Sequence, residues 1–263
     1  MMTVGFLGAG NMGSALARAA ARGGRCRVLV ADKDQDKGQR VALDIGAEAA
    51  DITDVAKEAD IIFLGMKPAG IGAAIGEIRD AVRDMTLIVS MAAAVDIRTV
   101  EEHFGRPIPV IRIMPNTPVT VGEGLVLFSP NAKGEAYVEK FLEVMRCAGD
   151  FERIDEDLID AAACISGCGP AFAYMFIDAL AKGGERLGLT KEKALVYAEK
   201  MLKGSAAYAL YSERTPEELK KNVCSPGGTT IEGVKVLEEK NFYEAVSGAV
   251  SAAYKKTLAM KAE

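Results

Sequence analysis

Six residues near the start of the chain, Gly8-Ala9-Gly10-Asn11-Met12-Gly13, restrict its fold more than any other stretch. They follow the apolar run Val4-Gly5-Phe6-Leu7 and open into Ser14-Ala15-Leu16-Ala17-Arg18-Ala19-Ala20. The order is therefore strand, glycine turn, helix. The first glycine permits a tight turn, the second admits a pyrophosphate to the backbone, and the third lets helix and strand pack closely. Free N–H groups at the helix start then hold the anion. The pattern predicts a dinucleotide site at Gly8, Ala9, Gly10, Asn11, Met12 and Gly13. A tight turn without a ligand is the competing reading.

Next in the chain, Arg27-Val28-Leu29-Val30-Ala31 is a second strand, ended by Asp32. Asp32 stands about twenty positions past Gly13, where an acid bonds the adenosine ribose. Such an acid repels a 2′-phosphate and favours NAD over NADP. Lys33, Lys37 and Arg40 weaken that preference, and a turn-forming role for Asp32 competes with it.

Helix over 35–45 with Gly46 as its stop, a short helix over 53–59 and a strand over 60–66 follow. Met66-Lys67-Pro68 sits at the carboxyl end of that strand, the edge where ligands bind in open α/β sheets. Met66, Lys67 and Pro68 are expected at the cofactor, with Lys67 close enough to assist the chemistry. After a helix to about Arg83, the strand Leu87–Ser90 ends in Met91-Ala92-Ala93-Ala94. Small residues at Ala92 and Ala93 leave space for a flat ring, or simply lead into a helix capped by Asp96. His103, on a polar helix end, is expected to be exposed and to have no catalytic part. The strand over 109–113 ends in Met114-Pro115-Asn116-Thr117-Pro118, where Asn116 offers a donor and acceptors. Strands over 124–128 and 151–154 flank a helix over 134–148.

No strand is expected beyond Asp155. Helices are read over 157–164, 171–187, 191–211, 216–222, 231–240 and 242–260, capped by Thr190, Thr215 and Asn241. The fold class is therefore α/β: an N-terminal Rossmann-type doubly wound sheet followed by an all-helical C-terminal domain. A dinucleotide-binding domain is assigned to residues 1–155 and a helical substrate and dimerisation domain to 156–263.

The second informative stretch is Cys224-Ser225-Pro226-Gly227-Gly228-Thr229-Thr230. Two glycines and three hydroxyls precede a helix start, which suits a small carboxylate. A well-capped turn is the alternative. Ser166-Gly167-Cys168-Gly169-Pro170 is read as a packing turn.

Composition narrows the chemistry. A net charge of −5 disfavours nucleic acid as a partner. Lys220-Lys221 and Lys255-Lys256 are read as solvated helix faces. The five cysteines form no CxxC pair and are read as reduced, mostly buried thiols. With one histidine and no obvious acid pair, neither a metal site nor hydrolysis is expected. No uninterrupted apolar run reaches bilayer length, and the first strand starts too early for a signal peptide, so no membrane role and a cytoplasmic location are expected. Hydride transfer remains, to an acceptor needing little proton push: an imine rather than a ketone.

With these residues in view, the chain resembles the pyrroline-5-carboxylate reductases over nearly its whole length. The resemblance rests on Phe6–Gly13, Met66–Pro68, Met114–Pro118, Ile165–Pro170 and, most specifically, Ser225–Thr230. It implies reduction of a cyclic imine carboxylate to proline by NADPH or NADH, the last step of proline biosynthesis. It also implies that Ser225, Gly227 and Gly228 hold the carboxylate, that Thr230 bonds the ring nitrogen, and that the helical domain forms dimers or rings of dimers; Thr229, by its hydroxyl, is expected to add a donor to the substrate. Cys168 and Cys224 replace the family's usual serine and threonine, and Asp32 leaves the cofactor choice open. A β-hydroxyacid dehydrogenase would carry a lysine among Ala171 to Met175, where there is none. A non-catalytic dinucleotide sensor would not need a second anion site.

Overall fold

A computed structural model describes residues 1–261. It resolves into two compact units, one of residues 1–168 with the chain's end from Ala253, the other of residues 169–252. The last two residues of the expected helical domain, 262 and 263, lie outside the described residues.

The first unit is built on eight strands: β1 (Met2–Leu7), β2 (Cys26–Ala31), β3 (Glu48–Ala49), β4 (Ile61–Leu64), β5 (Leu87–Ser90), β6 (Val110–Met114), β7 (Gly124–Pro130) and β8 (Gly149–Arg153). Their order across the sheet is β3-β2-β1-β4-β5-β6-β7-β8. Every neighbouring pair is parallel except β6 with β7. The order reverses between β1 and β4, so a ligand crevice opens at their carboxyl ends.

Alternation along the strands feeds two cores. Val4 and Phe6 of β1, with Ile61 and Phe63 of β4, face one core. Leu7, Ile62 and Leu64 face the other. The first core is closed by α1 (Asn11–Gly23), α2 (Gln35–Ile45) and, from later in the chain, the helix Val138–Met145. Phe6 and Phe63 stack across β1 and β4 with ring centroids 4.5 Å apart. The second core is closed by α3 (Ile52–Glu58), α4 (Ile71–Ile78) and α5 (Ile97–Phe104). Helices on both faces make the sheet doubly wound, as the alternating pattern predicts.

Two differences stand out. The edge strand β3 was not foreseen, since two residues are too short to show a period. The expected boundary at 155 also gives way to one after Cys168. The helix over Val138–Met145 is α6, and the next, α7 (Glu156–Ser166), packs Ile159 between Met114 and Leu127. That apolar contact binds α7 to the sheet.

The second unit holds α8 (Gly169–Arg186), α9 (Lys191–Tyr211), α10 (Pro216–Val223), α11 (Thr229–Glu239) and the first half of α12 (Phe242–Lys261). Thr190 caps α9, and Thr215 forms a capping box with Glu218 at α10. These helices bury little: in α8 to α12 only Ala181, Ala194 and Ala198 are fully buried. Tyr174, Met175, Tyr197, Tyr208, Leu210 and Tyr211 are all more than half exposed.

The stretch Glu156–Arg186 corrects one expectation. It spans 31 residues with a mean hydropathy of 1.4 over its apolar window, enough by length and composition to cross a membrane, and only 6% of that window is buried. Counting uninterrupted apolar runs misses it because polar residues are scattered along it. The cysteines correct another: all five are free, but only Cys164 is fully buried.

Candidate functional site

In the first unit the glycine turn joins β1 to α1 at the reversal of strand order. Gly8 has φ +106°, a conformation reserved in practice for glycine. A Cβ at Gly13 would stand 2.1 Å from the Gly8 carbonyl oxygen, whereas one at Gly10 would meet nothing within 4 Å. So Gly8 and Gly13 are demanded by the turn itself, and Gly10 faces open space. Asn11 is exposed and Met12 half-buried at the start of α1. No side chain caps that helix, so its first N–H groups are available to an anion. The arrangement fits a dinucleotide pyrophosphate.

Asp32 follows β2 with its side chain 15% exposed. Its carboxylate accepts from the N–H of Ala9 at 2.6 Å and of Asp34 at 3.0 Å. The Lys37 ammonium lies 3.5 Å away. Burial alone would raise the Asp32 carboxyl, but the two N–H donors and Lys37 outweigh it and hold the group below the ordinary aspartate value. The turn-forming role and the link to the glycine turn thus occur together. Asp32, Lys33 and Lys37 line one side of a cleft of about 1080 Å³ that also reaches Gly10, Met66 and Lys67.

Lys67 is exposed at the end of β4 and precedes the short 3₁₀ turn Pro68–Gly70. Past β5, Ala93 is exposed, but Ala92 is 2% exposed and packs into the second core. Of the pair, only Ala93 therefore has surface to offer a ligand. Asn116 is also committed: its amide oxygen accepts from Leu125 N, and its nitrogen donates to the Ser166 carbonyl at 3.1 Å. It braces β7 against the end of α7 and keeps one N–H and one lone pair. His103 is exposed, its imidazole lying against Gly72. Asp96 caps α5 through Thr99 N, as expected.

A polar cluster on the second face went unread in the sequence. Arg112 of β6 is 1% exposed. Its guanidinium pairs with Asp160 at 2.6 Å and approaches Glu156 at 3.5 Å, both on α7. The Lys261 ammonium lies 2.6 Å from the other Asp160 oxygen. The signal was an arginine in the middle of Pro109-Val110-Ile111-Arg112-Ile113, an otherwise apolar strand.

In the second unit, α10 ends at Val223 with Cys224 as its cap, and the chain turns through Ser225–Gly228. Gly228 N donates to the Ser225 carbonyl at 2.9 Å, and Gly227 takes φ +72°. The helix begins at Thr229, two residues before the predicted start. Thr229 and Thr230 therefore form its first turn, both exposed, with no side chain capping the helix. Their N–H groups, the positive end of the helix and the Ser225 hydroxyl are donors of the kind that suit an anion.

Comparison with known proteins bears on both units. Residues 156–260 match the family model described as pyrroline-5-carboxylate reductase dimerisation. Residues 3–94 match the model described as NADP oxidoreductase, coenzyme F420-dependent. The chain is 37% identical over 244 residues to a pyrroline-5-carboxylate reductase of Aquifex aeolicus, covering 92% of this chain and 91% of that one. It is 36% identical over 259 residues to that of Escherichia coli, covering 97% and 96%. The crystal structure of Plasmodium falciparum pyrroline carboxylate reductase with NADP bound superposes with a TM-score of 0.90 at 30% identity, covering 99% of this chain and 98% of that one. With its glycine turn, its Ser225–Thr230 helix start and relatives matched from end to end, the chain belongs to the pyrroline-5-carboxylate reductase family.

Proposed function

We propose that this chain reduces 1-pyrroline-5-carboxylate to L-proline with NADPH or NADH, the last step of proline biosynthesis. The observation that carries the reading is the uncapped start of α11 at Thr229, a ready-made grip for a small carboxylate in a family named for this reaction. Gly8, Gly10, Asn11, Met12 and Gly13 hold the pyrophosphate through the turn and the start of α1. Ala9 supports them by bonding Asp32. Asp32 with Lys33 and Lys37 meets the adenosine ribose. Met66, Lys67 and Pro68 close the cleft from β4, and Ala93 and Asn116 stand on the nicotinamide side.

When bound, the reduced nicotinamide supplies a hydride to the imine carbon. The chain's own part is to bind and orient. Ser225, Gly227, Gly228 and Thr229 hold the carboxylate, and the Thr230 hydroxyl bonds the ring nitrogen. His103, exposed and lying against Gly72, is given no catalytic part. An imine can arrive already protonated, and Thr230 keeps it in register.

Self-association belongs to the same reading. The second unit buries too little apolar surface for helices of its length, and its exposed tyrosines, Met175 and Leu210 suit a second copy of the chain. The apolar stretch Glu156–Arg186 begins where the dimerisation match begins, so a subunit interface accounts for it without a membrane. We place the dimers, singly or in rings, in the cytoplasm, without nucleic-acid partners. The charge of −5 and five unpaired cysteines support this. The direct test is a spectrophotometric assay with the cyclic imine and each reduced cofactor in turn. Loss of nicotinamide absorbance is expected. No loss with either cofactor overturns the assignment.

A further inference from the structure

Arg112 is among the largest fully buried side chains of the protein, and its Nε and Nη1 have no hydrogen-bond partner. Burying a guanidinium costs several kcal/mol unless it is well paired, and an apolar residue of similar volume often serves stability equally well. What distinguishes Arg112 is its position. Its register partner on β5 is Ser90, the last residue before the 91–96 loop. Its ion-pair partner Glu156 accepts from Ile97 N at 2.7 Å, immediately after that loop. The cluster therefore stands at both ends of the loop. Between them Ala94 sits at φ +61°, a strained conformation for a residue with a Cβ. Such strain persists only where the surroundings over-determine it. The loop leaves the carboxyl end of β5, on the ligand edge of the sheet.

We propose that Arg112, anchored by Asp160, is a positioning residue which, through Glu156, sets the 91–96 loop to receive the nicotinamide end of the dinucleotide. The proposal rests on the reductase reading above. It gives the buried cation a task in binding, exercised on one half of the ligand only. Adenosine-side contacts come from the glycine turn and Asp32, which the cluster does not touch.

The test is calorimetric titration of the intact protein with NADP⁺ and with adenosine 2′,5′-bisphosphate, which lacks the nicotinamide half. Glu156→Ala truncates a partly exposed side chain and breaks the link to Ile97 without emptying the core. It is expected to weaken NADP⁺ about tenfold, the scale of a small misplacement of a binding element, and to leave the bisphosphate unchanged. Glu156→Gln keeps an acceptor for Ile97 N and is expected to recover most of the loss. Arg112→Met is expected to repeat the selective effect; where it fails to fold, the two Glu156 variants decide. Equal weakening of both ligands, or no change in either, overturns the proposal. Failure of the wild-type protein to bind either NADP⁺ or NAD⁺ would instead remove the reductase reading, and the proposal with it; where only NAD⁺ binds, NAD⁺ and AMP take the place of the two ligands.

Discussion

The Asp32 carboxylate accepts the amide proton of Ala9 at 2.6 Å, and this bond joins the end of β2 to the glycine turn. The residue proposed to meet the adenosine ribose therefore also shapes the glycine turn. Lys37, 3.5 Å away, partly offsets its charge. Asp32→Ser removes the anion and leaves Lys33 and Lys37 facing the cleft. The ratio of kcat/KM for NADPH to that for NADH should rise about tenfold, the scale of one charge-assisted contact. Lys37→Ala should move the same ratio toward NADH. Steady-state kinetics with both cofactors checks this, and unchanged ratios in both variants would refute it.

Gly10 and Gly13 separate ligand space from folding space. Alanine at Gly10 meets no protein atom, so the melting temperature should shift little. Its methyl group would enter the proposed pyrophosphate region, and cofactor affinity should fall about ten- to a hundredfold, as for other intrusions into a packed contact. Alanine at Gly13 would stand 2.1 Å from the Gly8 carbonyl oxygen and should also cost about 1–3 kcal/mol of stability. Thermal melts beside cofactor titrations distinguish the two.

Thr230 lies exposed in the first turn of α11. Thr230→Val keeps the shape and removes the hydroxyl. Turnover should fall about ten- to a thousandfold with an unchanged melting temperature. Wild-type turnover in the variant would remove the proposed role.

Asp96 links stability to pH. Burial works to raise its carboxyl, but the Thr99 hydrogen bonds and the charges of Arg112 and Lys261 hold it below the ordinary aspartate value. A carboxyl depressed in the folded state stabilises above the unfolded value of about 3.9, and this is lost as pH falls through the folded value. Asp32 acts in the same direction. The melting temperature should therefore drop on acidification below about pH 4. Asp96→Asn still caps α5 but carries no charge, so its curve should fall less steeply.

Tyr197, Met201 and Tyr208 recur at helical spacing on α9 and are all exposed in the single chain. Aspartate at Tyr197 and Met201 together should shift the sedimenting species to the monomer and lower the melting temperature. A monomeric wild-type protein would defeat the dimer reading.

Much of this was legible in the residues. The strand, glycine turn and helix of residues 4–20 announced the cofactor fold because each glycine answers a local need. Asp96, Thr190 and Thr215 cap helices as short polar residues before helix starts do. The Ser225–Thr230 motif could be read as an anion grip because its donors are adjacent in sequence. Long-range partnerships left no such local mark. Asn116 looked free and proved to brace β7 and α7; Ala92 looked open and proved to be core.

By itself, then, the order of residues determined what depends on neighbours a few positions apart: turns, caps, strand alternation and the two glycine-led helix starts. Tertiary structure alone decided which strands lie side by side, that α7 belongs with the sheet, and that Arg112 meets Glu156, Asp160 and Lys261. Those outcomes depend on register and burial between segments far apart in the chain, where pairing is chosen by packing and charge compensation rather than by any local pattern.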